Sequence, residues 1–401
     1  MPRSIFCQTP RILHAYKTYR PETQGGIPTA IAALCAACPD TDPLVLACGR
    51  PRKTSVDGVK VRRVRAFGRL CSLPLAPTWP LHFWREAARA DLVVAHVPFP
   101  LADVAAALHF PKHAALVVHW HSDIVAQRRL GKLVVPFTRA LLEKADAVVV
   151  ASPAMADSPA LAGHREKVAV VPFGVDVEAW NAPLTGKEAF RAGILRACYP
   201  RLVVAIGRLV PYKGFDVLIE AMRNVEAHLM IIGEGPRRRW LECQIAEAGL
   251  AGKVTLCGAV PDAELRLILR SAHVFALPSV LPSETFGIAQ LEAMACGLPV
   301  VNTNLPTGVP WVARDGREAL TVPPGQPRHL AAALQQVLED PALARRLGVA
   351  GRLRAQRHFS QTMFADRMRG LYGRVLAEHG LPIPRIMLRN APAWGNAPVG
   401  G

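Results

Sequence analysis

Residues 278–301 read Pro278-Ser-Val-Leu-Pro-Ser-Glu284-Thr-Phe-Gly287-Ile-Ala-Gln-Leu-Glu292-Ala-Met-Ala-Cys-Gly297-Leu-Pro-Val-Val301. Ile288, Leu291, Met294 and Ala295 recur at helical period, and Pro282, Ser283 and Gly287 mark a turn before them. The apolar runs Val274–Leu277 and Pro299–Asn302 on either side read as strands, so the stretch is one strand–turn–helix–strand unit. Glu284 falls in the turn and Glu292 on the helix, with seven residues between them. A loop carboxylate beside a first helical turn meets free N–H groups at the positive end of the dipole. Such a place suits a ligand with many hydroxyls and a phosphate.

The same alternation runs from end to end, the pattern of α/β layers. In the first half, strands are expected at 11–15, 44–48, 59–64, 92–96, 115–119, 147–151 and 168–171, with helices at 29–37, 101–107 and 134–144 between them. In the second half, strands at 202–206, 229–232, 254–257 and 319–322 join the two already named, and helices fit at 215–223 and 237–248. The boundary is expected near Pro172-Phe-Gly-Val-Asp176, after which a less regular stretch, Glu178 to Tyr199, leads to a new first strand. Two parallel sheets facing one another leave a cleft at the carboxyl ends of their strands, where ligands bind.

Several short segments carry chemistry. Val203-Val-Ala-Ile-Gly-Arg208-Leu-Val-Pro-Tyr-Lys213-Gly-Phe-Asp places two cations after a strand end, where they can hold a pyrophosphate and neutralise its growing charge. Gly25 and Gly26 sit between a strand and a helix and permit close backbone approach of phosphate. His119, His121 and Asp123 alternate after another strand, a spacing open to a metal, although no further ligand is near. Gly233, in Ile231-Ile-Gly-Glu-Gly-Pro, is short of a full G-x-G-x-x-G, which argues against a nicotinamide dehydrogenase. Asp40-Thr-Asp42 fits a metal-binding D-x-D but precedes a strand, in a surface turn. Cys35 and Cys38 lie in a small-residue helix face, without the second cysteine pair a structural zinc site needs.

Composition narrows the classes. The chain has 401 residues, enough for two cores, and no apolar segment reaches the length of a membrane span. The N-terminal residues lack the apolar core of a secretory signal, and nine cysteines fit reduced thiols, so a cytoplasmic protein is expected. Arginine supplies 38 and lysine 10 of the 48 basic residues, giving a net charge of +17. Clusters occur at Arg62, Arg63, Arg65 and Arg69, at Arg128 and Arg129, at 237–239, and at Arg352, Arg354 and Arg357. With few aromatics and no nucleic-acid motif, this charge points away from nucleic acid and towards anionic lipid headgroups. The plain alternative is arginine bias on a solvated surface.

Taken together, these motifs resemble those of retaining group 1 (GT4) glycosyltransferases with the GT-B fold, particularly the O-antigen and lipopolysaccharide mannosyl- and rhamnosyltransferases. The resemblance covers most of residues 10–378. It rests on the E-x7-E pair Glu284 and Glu292, the GR-x3-KG-x-D segment at Arg208 and Lys213, and the glycine loop after Tyr16-Lys-Thr-Tyr. It implies two Rossmann-like domains: an acceptor-side domain at 1–177, a nucleotide-sugar domain at 178–358, a returning helix at 359–379 and a mobile Pro/Gly-rich tail at 380–401. By the same resemblance, Arg208, Lys213, Gly25 and Gly26 hold the donor diphosphate, and Glu292 holds the ribose. Glu284, Thr285, Phe286 and Gly287 hold the sugar, and Gly233 and Gly258 lie near the nucleoside. His121 meets the transferred sugar. The implied catalytic set is Glu284, His121, Arg208 and Lys213, with no metal and no cofactor.

The implied reaction is retaining transfer from a nucleoside-diphosphate sugar to a lipid-linked or polysaccharide acceptor, at the inner leaflet of the cytoplasmic membrane. Asn302-Thr-Asn-Leu-Pro-Thr-Gly-Val-Pro-Trp-Val favours a GDP-mannose-type donor by likeness, and a UDP-linked N-acetylated sugar is the alternative. Outside this reaction, the rivals are a phosphorylase carrying pyridoxal phosphate and a non-enzymatic binder of anionic polymer or membrane.

Overall fold

The computed structural model describes residues 9–21, 26–70, 73–122 and 128–388. The chain divides into two compact units: residues up to Pro172 together with those from Met363, and Phe173–Thr362.

In the first unit the strands are β1 (Arg11–Ala15), β2 (Asp42–Gly49), β3 (Arg52–Val56), β4 (Val59–Arg65), β7 (Leu92–Val97), β8 (Ala115–Trp120), β9 (Ala147–Val150) and β10 (Val168–Val170). A small hairpin, β5 (Arg69–Leu70) with β6 (Leu73–Pro74), stands apart. The main sheet runs β10-β9-β8-β7-β1-β2-β4-β3, and only β3 is antiparallel to its neighbour. Every residue of β7, β8 and β9 is buried, as a parallel sheet covered on both faces requires. The order reverses between β1 and β7, so a crevice opens at the carboxyl ends of those two strands.

Helix Gln361–Glu378 carries the chain back into this unit, where Arg369 Nε donates to Ala37 O (2.5 Å) and His379 pairs with Asp146 (3.0 Å). Residues 380–388, the start of the stretch expected as a tail, belong to this unit. A short helix, Arg385–Leu388, places Met387 at 1% exposure against Gly373, where a Cβ would be a tight 3.1 Å from it. Residues 389–401 lie outside the described residues.

The second unit has β11 (Leu202–Ile206), β12 (His228–Ile232), β13 (Val254–Gly258), β14 (Val274–Leu277), β15 (Val300–Thr303) and β16 (Ala319–Val322). All are parallel, in the order β13-β12-β11-β14-β15-β16, so the reversal falls between β11 and β14. Leu218, Ile219, Met222, Leu334 and Leu347 pack the core, each fully buried. The unit starts at Phe173, within the expected boundary segment and five residues before the implied domain start at 178: Val175 N donates to Phe359 O (2.8 Å) and the Phe173 ring meets Phe286 edge-on at 5.3 Å.

The stretch expected to be irregular, Glu178 to Tyr199, contains helix Gly186–Cys198. Its apolar Phe190 and Ile194 face solvent, 72% and 50% exposed, so the hydrophobic pattern gives no sign of the buried side. The helix starts instead on a capping box: Thr185 accepts from Glu188 N and Glu188 reaches back to Thr185 N. We expect Thr185→Ala to lower stability by about 1 kcal/mol in urea denaturation. Phe190→Ser should leave the midpoint unchanged, and the reverse ranking would mean that the helix is held by its apolar residues.

Candidate active site

In the second unit, two loops leave neighbouring strands on either side of the reversal point. After β11 come Gly207, Arg208 and the turn Pro211–Lys213, and Gly214 starts helix Phe215–Ala221 in a left-handed conformation (φ +66). A Cβ on Gly214 would fall 2.1 Å from Pro278 O in the second loop, and Val280 N donates to Tyr212 O (2.8 Å). The two loops are therefore backbone against backbone. Their closeness brings Lys213 Nζ to 2.5 Å from Glu284 Oε2, with side chains only 11% and 10% exposed. Ser279 Oγ donates to the same carboxylate oxygen (3.0 Å), and Ser279 O accepts from Thr303 Oγ1 (2.6 Å). Burial pulls the Lys213 ammonium down, but the Glu284 carboxylate and Tyr212 outweigh it and raise Lys213 above its ordinary value. Arg208 is exposed, and its charge works against the Lys213 ammonium from alongside.

The residues after Glu284 are pinned one by one. Thr285 O accepts from Gly308 N (2.8 Å), and Phe286 is buried within ring contacts to Phe173, Phe359 and Trp311. Gly287 caps helix Ile288–Ala295 at φ +74, where a Cβ would press on Leu277. Gln290 Nε2 donates to Phe286 O and Val309 O, and its Oε1 accepts from Asn302 Nδ2. Glu292 lies one turn into that helix and keeps part of its surface exposed. Desolvation, with Asp262 adding negative charge, pushes its carboxyl up to about 7, while Lys213 draws it down.

Three glycines crowd the carboxyl ends of β11, β12 and β13. Gly233 (φ +138) donates to Gly258 O (2.8 Å), and its missing Cβ would meet Gly207 O at 2.1 Å. A side chain at Gly258 (φ +75) would meet Glu234. Arg208, Lys213, Gly233, Gly258, Glu284, Thr285, Phe286, Gly287 and Glu292 thus all stand at the carboxyl edge of one sheet. Cations, a braced carboxylate and bare backbone together can hold a charged, hydroxyl-rich molecule.

In the first unit, Gly26 opens helix Gly26–Ala37, while Gly25 and Asp123 lie outside the described residues. His121 follows β8, 5% exposed, with its ring stacked on His96 (5.2 Å) and tilted against His119 (4.4 Å). His119 belongs to the same buried cluster. Asp42 starts β2 and pairs with Lys60 (2.6 Å), the role of a strand-end charge. Cys35 and Cys38 are buried, and their thiols are pushed up to about 12, which disfavours thiolate ligands.

The arginine clusters are partly internal. Arg62 pairs with Glu86, Arg63 is buried on Thr54 and the Arg20 carbonyl, and Arg354 is buried on the carbonyls of Trp311 and Val312. Arg238 is shared between Glu234 and Glu242. Sequence reasoning did not single out Ser279, Gln290, His14 or His96. For the two histidines a signal existed, since each stands at the carboxyl end of an expected strand.

Two outcomes follow from these charges. Lys213→Met strands a buried carboxylate and should cost roughly 3 kcal/mol or more in urea denaturation, whereas adding Glu284→Gln should recover much of that loss. Simple additivity of the two substitutions would contradict the coupling. For Glu292 the folded value, about 7, lies above the ordinary carboxylate value of 4.5. Its stabilising contribution is therefore present below pH 4.5 and is lost as pH rises to 7. Glu292→Gln should accordingly raise the denaturation midpoint at pH 8 and leave it unchanged at pH 4.

Comparison with known proteins agrees with this architecture. The family model "Glycosyl transferases group 1" matches residues 187–354, and "Glycosyltransferase Family 4" matches residues 24–179. The chain is 33% identical over 347 residues to D-rhamnosyltransferase WbpZ of Pseudomonas aeruginosa, covering 84% of this chain and 89% of that protein. It is 27% identical over 374 residues to O-antigen chain mannosyltransferase C of Escherichia coli, covering 91% and 99%. Among solved structures, sucrose-phosphate synthase from Thermosynechococcus elongatus superposes with a TM-score of 0.78 at 23% identity, covering 92% and 100%. WaaG, a glycosyltransferase involved in lipopolysaccharide biosynthesis, superposes at 0.69 with 16% identity, covering 90% and 100%. With two Rossmann-like units of the GT-B type and relatives matched over nearly their whole length, the chain belongs to the group 1 glycosyltransferases and is a transferase.

Proposed function

We propose that the protein transfers a sugar, with retention of anomeric configuration, from a nucleoside diphosphate to a lipid-linked or polysaccharide acceptor of surface-glycan (O-antigen or lipopolysaccharide) synthesis. The observation that carries this is the Lys213–Glu284 contact at the reversal point of the second sheet. It sets a cation for the leaving diphosphate beside a carboxylate for sugar hydroxyls. A GDP-mannose-type donor is favoured, because the two relatives reported above are named for transfer of mannose and of rhamnose, a deoxymannose.

In this reading Arg208 and Lys213 neutralise the diphosphate, aided by the backbone of the Gly25-Gly26 loop. Glu292 accepts hydrogen bonds from the ribose, and Gly233 and Gly258 let the nucleoside lie against backbone. Glu284, with the amides of Phe286 and Gly287, holds the sugar and favours positive charge on its ring, and His121 orients its hydroxyls. The bond from the anomeric carbon to the diphosphate oxygen breaks as the bond to the acceptor oxygen forms. The acceptor's proton passes to a diphosphate oxygen. Glu284 is already spent on Lys213 and Ser279, so it serves as a binding group and not as the nucleophile of the two-carboxylate glycosidase scheme. Metal and cofactor have no assigned step.

The basic surface left after internal pairing includes Arg65, whose guanidinium lies 5.5 Å from the ring centroid of exposed Phe67. Phe67 is backbone-bonded to exposed Leu75. Arginine beside exposed apolar side chains supports contact with an anionic membrane. No helix among the described residues is long and apolar enough to cross one.

A panel of nucleotide sugars, assayed for hydrolysis and transfer, tests the donor: GDP-mannose turnover is expected, and turnover of only UDP-N-acetylated sugars would replace that choice. Glu284→Gln and Lys213→Met should each lower turnover by roughly two orders of magnitude or more, as loss of a transition-state contact does. Turnover within twofold of the parent in either variant sinks the site assignment. EDTA should leave the rate intact.

A further inference from the structure

Three adjacent strands of the first unit bring histidines to one edge: His14 on β1, His96 on β7, and His119 on β8 with His121 just beyond it. The first two straddle the reversal point of that sheet. His96 and His119 are partners in register. His14 Nδ1 lies 3.2 Å from His96 Nε2, and His96 Nδ1 lies 2.9 Å from His121 Nε2. His96 is thus held through both of its ring nitrogens. His14, His96 and His121 are 1%, 0% and 5% exposed. Burial holds His14 at about 3 and His96 and His121 well below the ordinary histidine value, so all three are neutral near pH 7.

A neutral imidazole has one N–H and one bare nitrogen. Two successive contacts, each from a δ nitrogen to an ε nitrogen, therefore leave two arrangements. Either all three rings carry the proton on Nδ1, with His14 donating to His96 and His96 to His121, or all three carry it on Nε2, with His121 donating to His96 and His96 to His14. Any mixture sets two N–H groups or two lone pairs face to face in a buried place, at the expense of a hydrogen bond.

We propose that His14 and His96 are a positioning relay that fixes which ring nitrogen of His121 carries its proton, and so whether each nitrogen of His121 can donate or accept. The relay's bearing on catalysis rests on His121 meeting the transferred sugar, as proposed above. A metal is the competing occupant, since ligand atoms of His96, His119 and His121 lie within 4.8 Å of one another. Tetrahedral ligands on a zinc ion stand about 3.3 Å apart, given metal–nitrogen bonds of about 2.0–2.1 Å. The 2.9 Å between His96 and His121 is a hydrogen-bond distance instead.

Long-range proton–nitrogen NMR spectra of the full chain, labelled with 15N-histidine, read each tautomer directly and need no substitution. The relay requires His14, His96 and His121 to share one tautomer, and a mixed set overturns it. His14→Phe removes the first link, while His14→Asn keeps an amide where Nδ1 stood. With phenylalanine, His121 should become a tautomer mixture and kcat should fall roughly tenfold with donor KM within twofold; asparagine should restore most of both. Equal behaviour of the two variants, or an unmoved His121, overturns the relay. A tautomer that shifts while kcat holds supports the relay and sinks the placement of His121 beside the sugar. Titration with Co2+ that yields visible d–d absorption and shifts the ring resonances of His96, His119 and His121 overturns it in favour of a metal centre.

Discussion

An ammonium and a carboxylate, both almost out of water and 2.5 Å apart, set the terms for the second unit. Neither charge could be left alone at that depth, because an unpaired buried ion costs several kcal/mol. Each needs the other and the groups around it: Ser279 on the carboxylate, Thr303 behind Ser279, and the left-handed Gly214 that lets one loop touch the next. The pair also means that Lys213 is not idle in the free protein. In the proposed reaction a bound diphosphate would draw it partly away from Glu284, freeing hydrogen-bonding capacity on the carboxylate for a sugar.

Both units use one solution to the placement problem. Among the parallel strands of each sheet the order reverses once, and the side chains proposed to carry chemistry sit on the loops or strand ends at or beside that reversal. In the second unit those are Lys213 and Glu284, and in the first His14 and His96 with His121 beside them. Side chains from strands far apart in sequence become neighbours there without any long or irregular excursion of the chain. Gly233 serves the same edge, because its backbone lies closer to Gly207 O than a Cβ permits.

Much of this was legible in the sequence. The strand–turn–helix units, the glycine positions and the cation and carboxylate pairs each announce themselves locally, through apolar runs, turn residues and short spacings. Features that depend on what a residue faces were not. Helix Gly186–Cys198 hides because Phe190 and Ile194 point to solvent, and the strand Arg52–Val56 hides because nothing in Arg-Lys-Thr-Ser-Val is apolar until its last residue. The arginine clusters looked like a basic surface, yet Arg63 and Arg354 are structural donors to buried carbonyls. The histidine row is likewise a property of strand order, which brings positions 14 and 96 together from 82 residues apart.

That polar strand, β3, is the outermost strand of the first sheet beyond β4 and runs against its neighbour. A parallel sheet with a bare apolar margin would offer its unpaired amides and carbonyls to any passing chain. Here the margin presents exposed Arg52 and Lys53, so a second copy approaching edge to edge meets like charge before it can bond. The least sheet-like segment of the unit thereby guards the rest of it against edge-to-edge pairing.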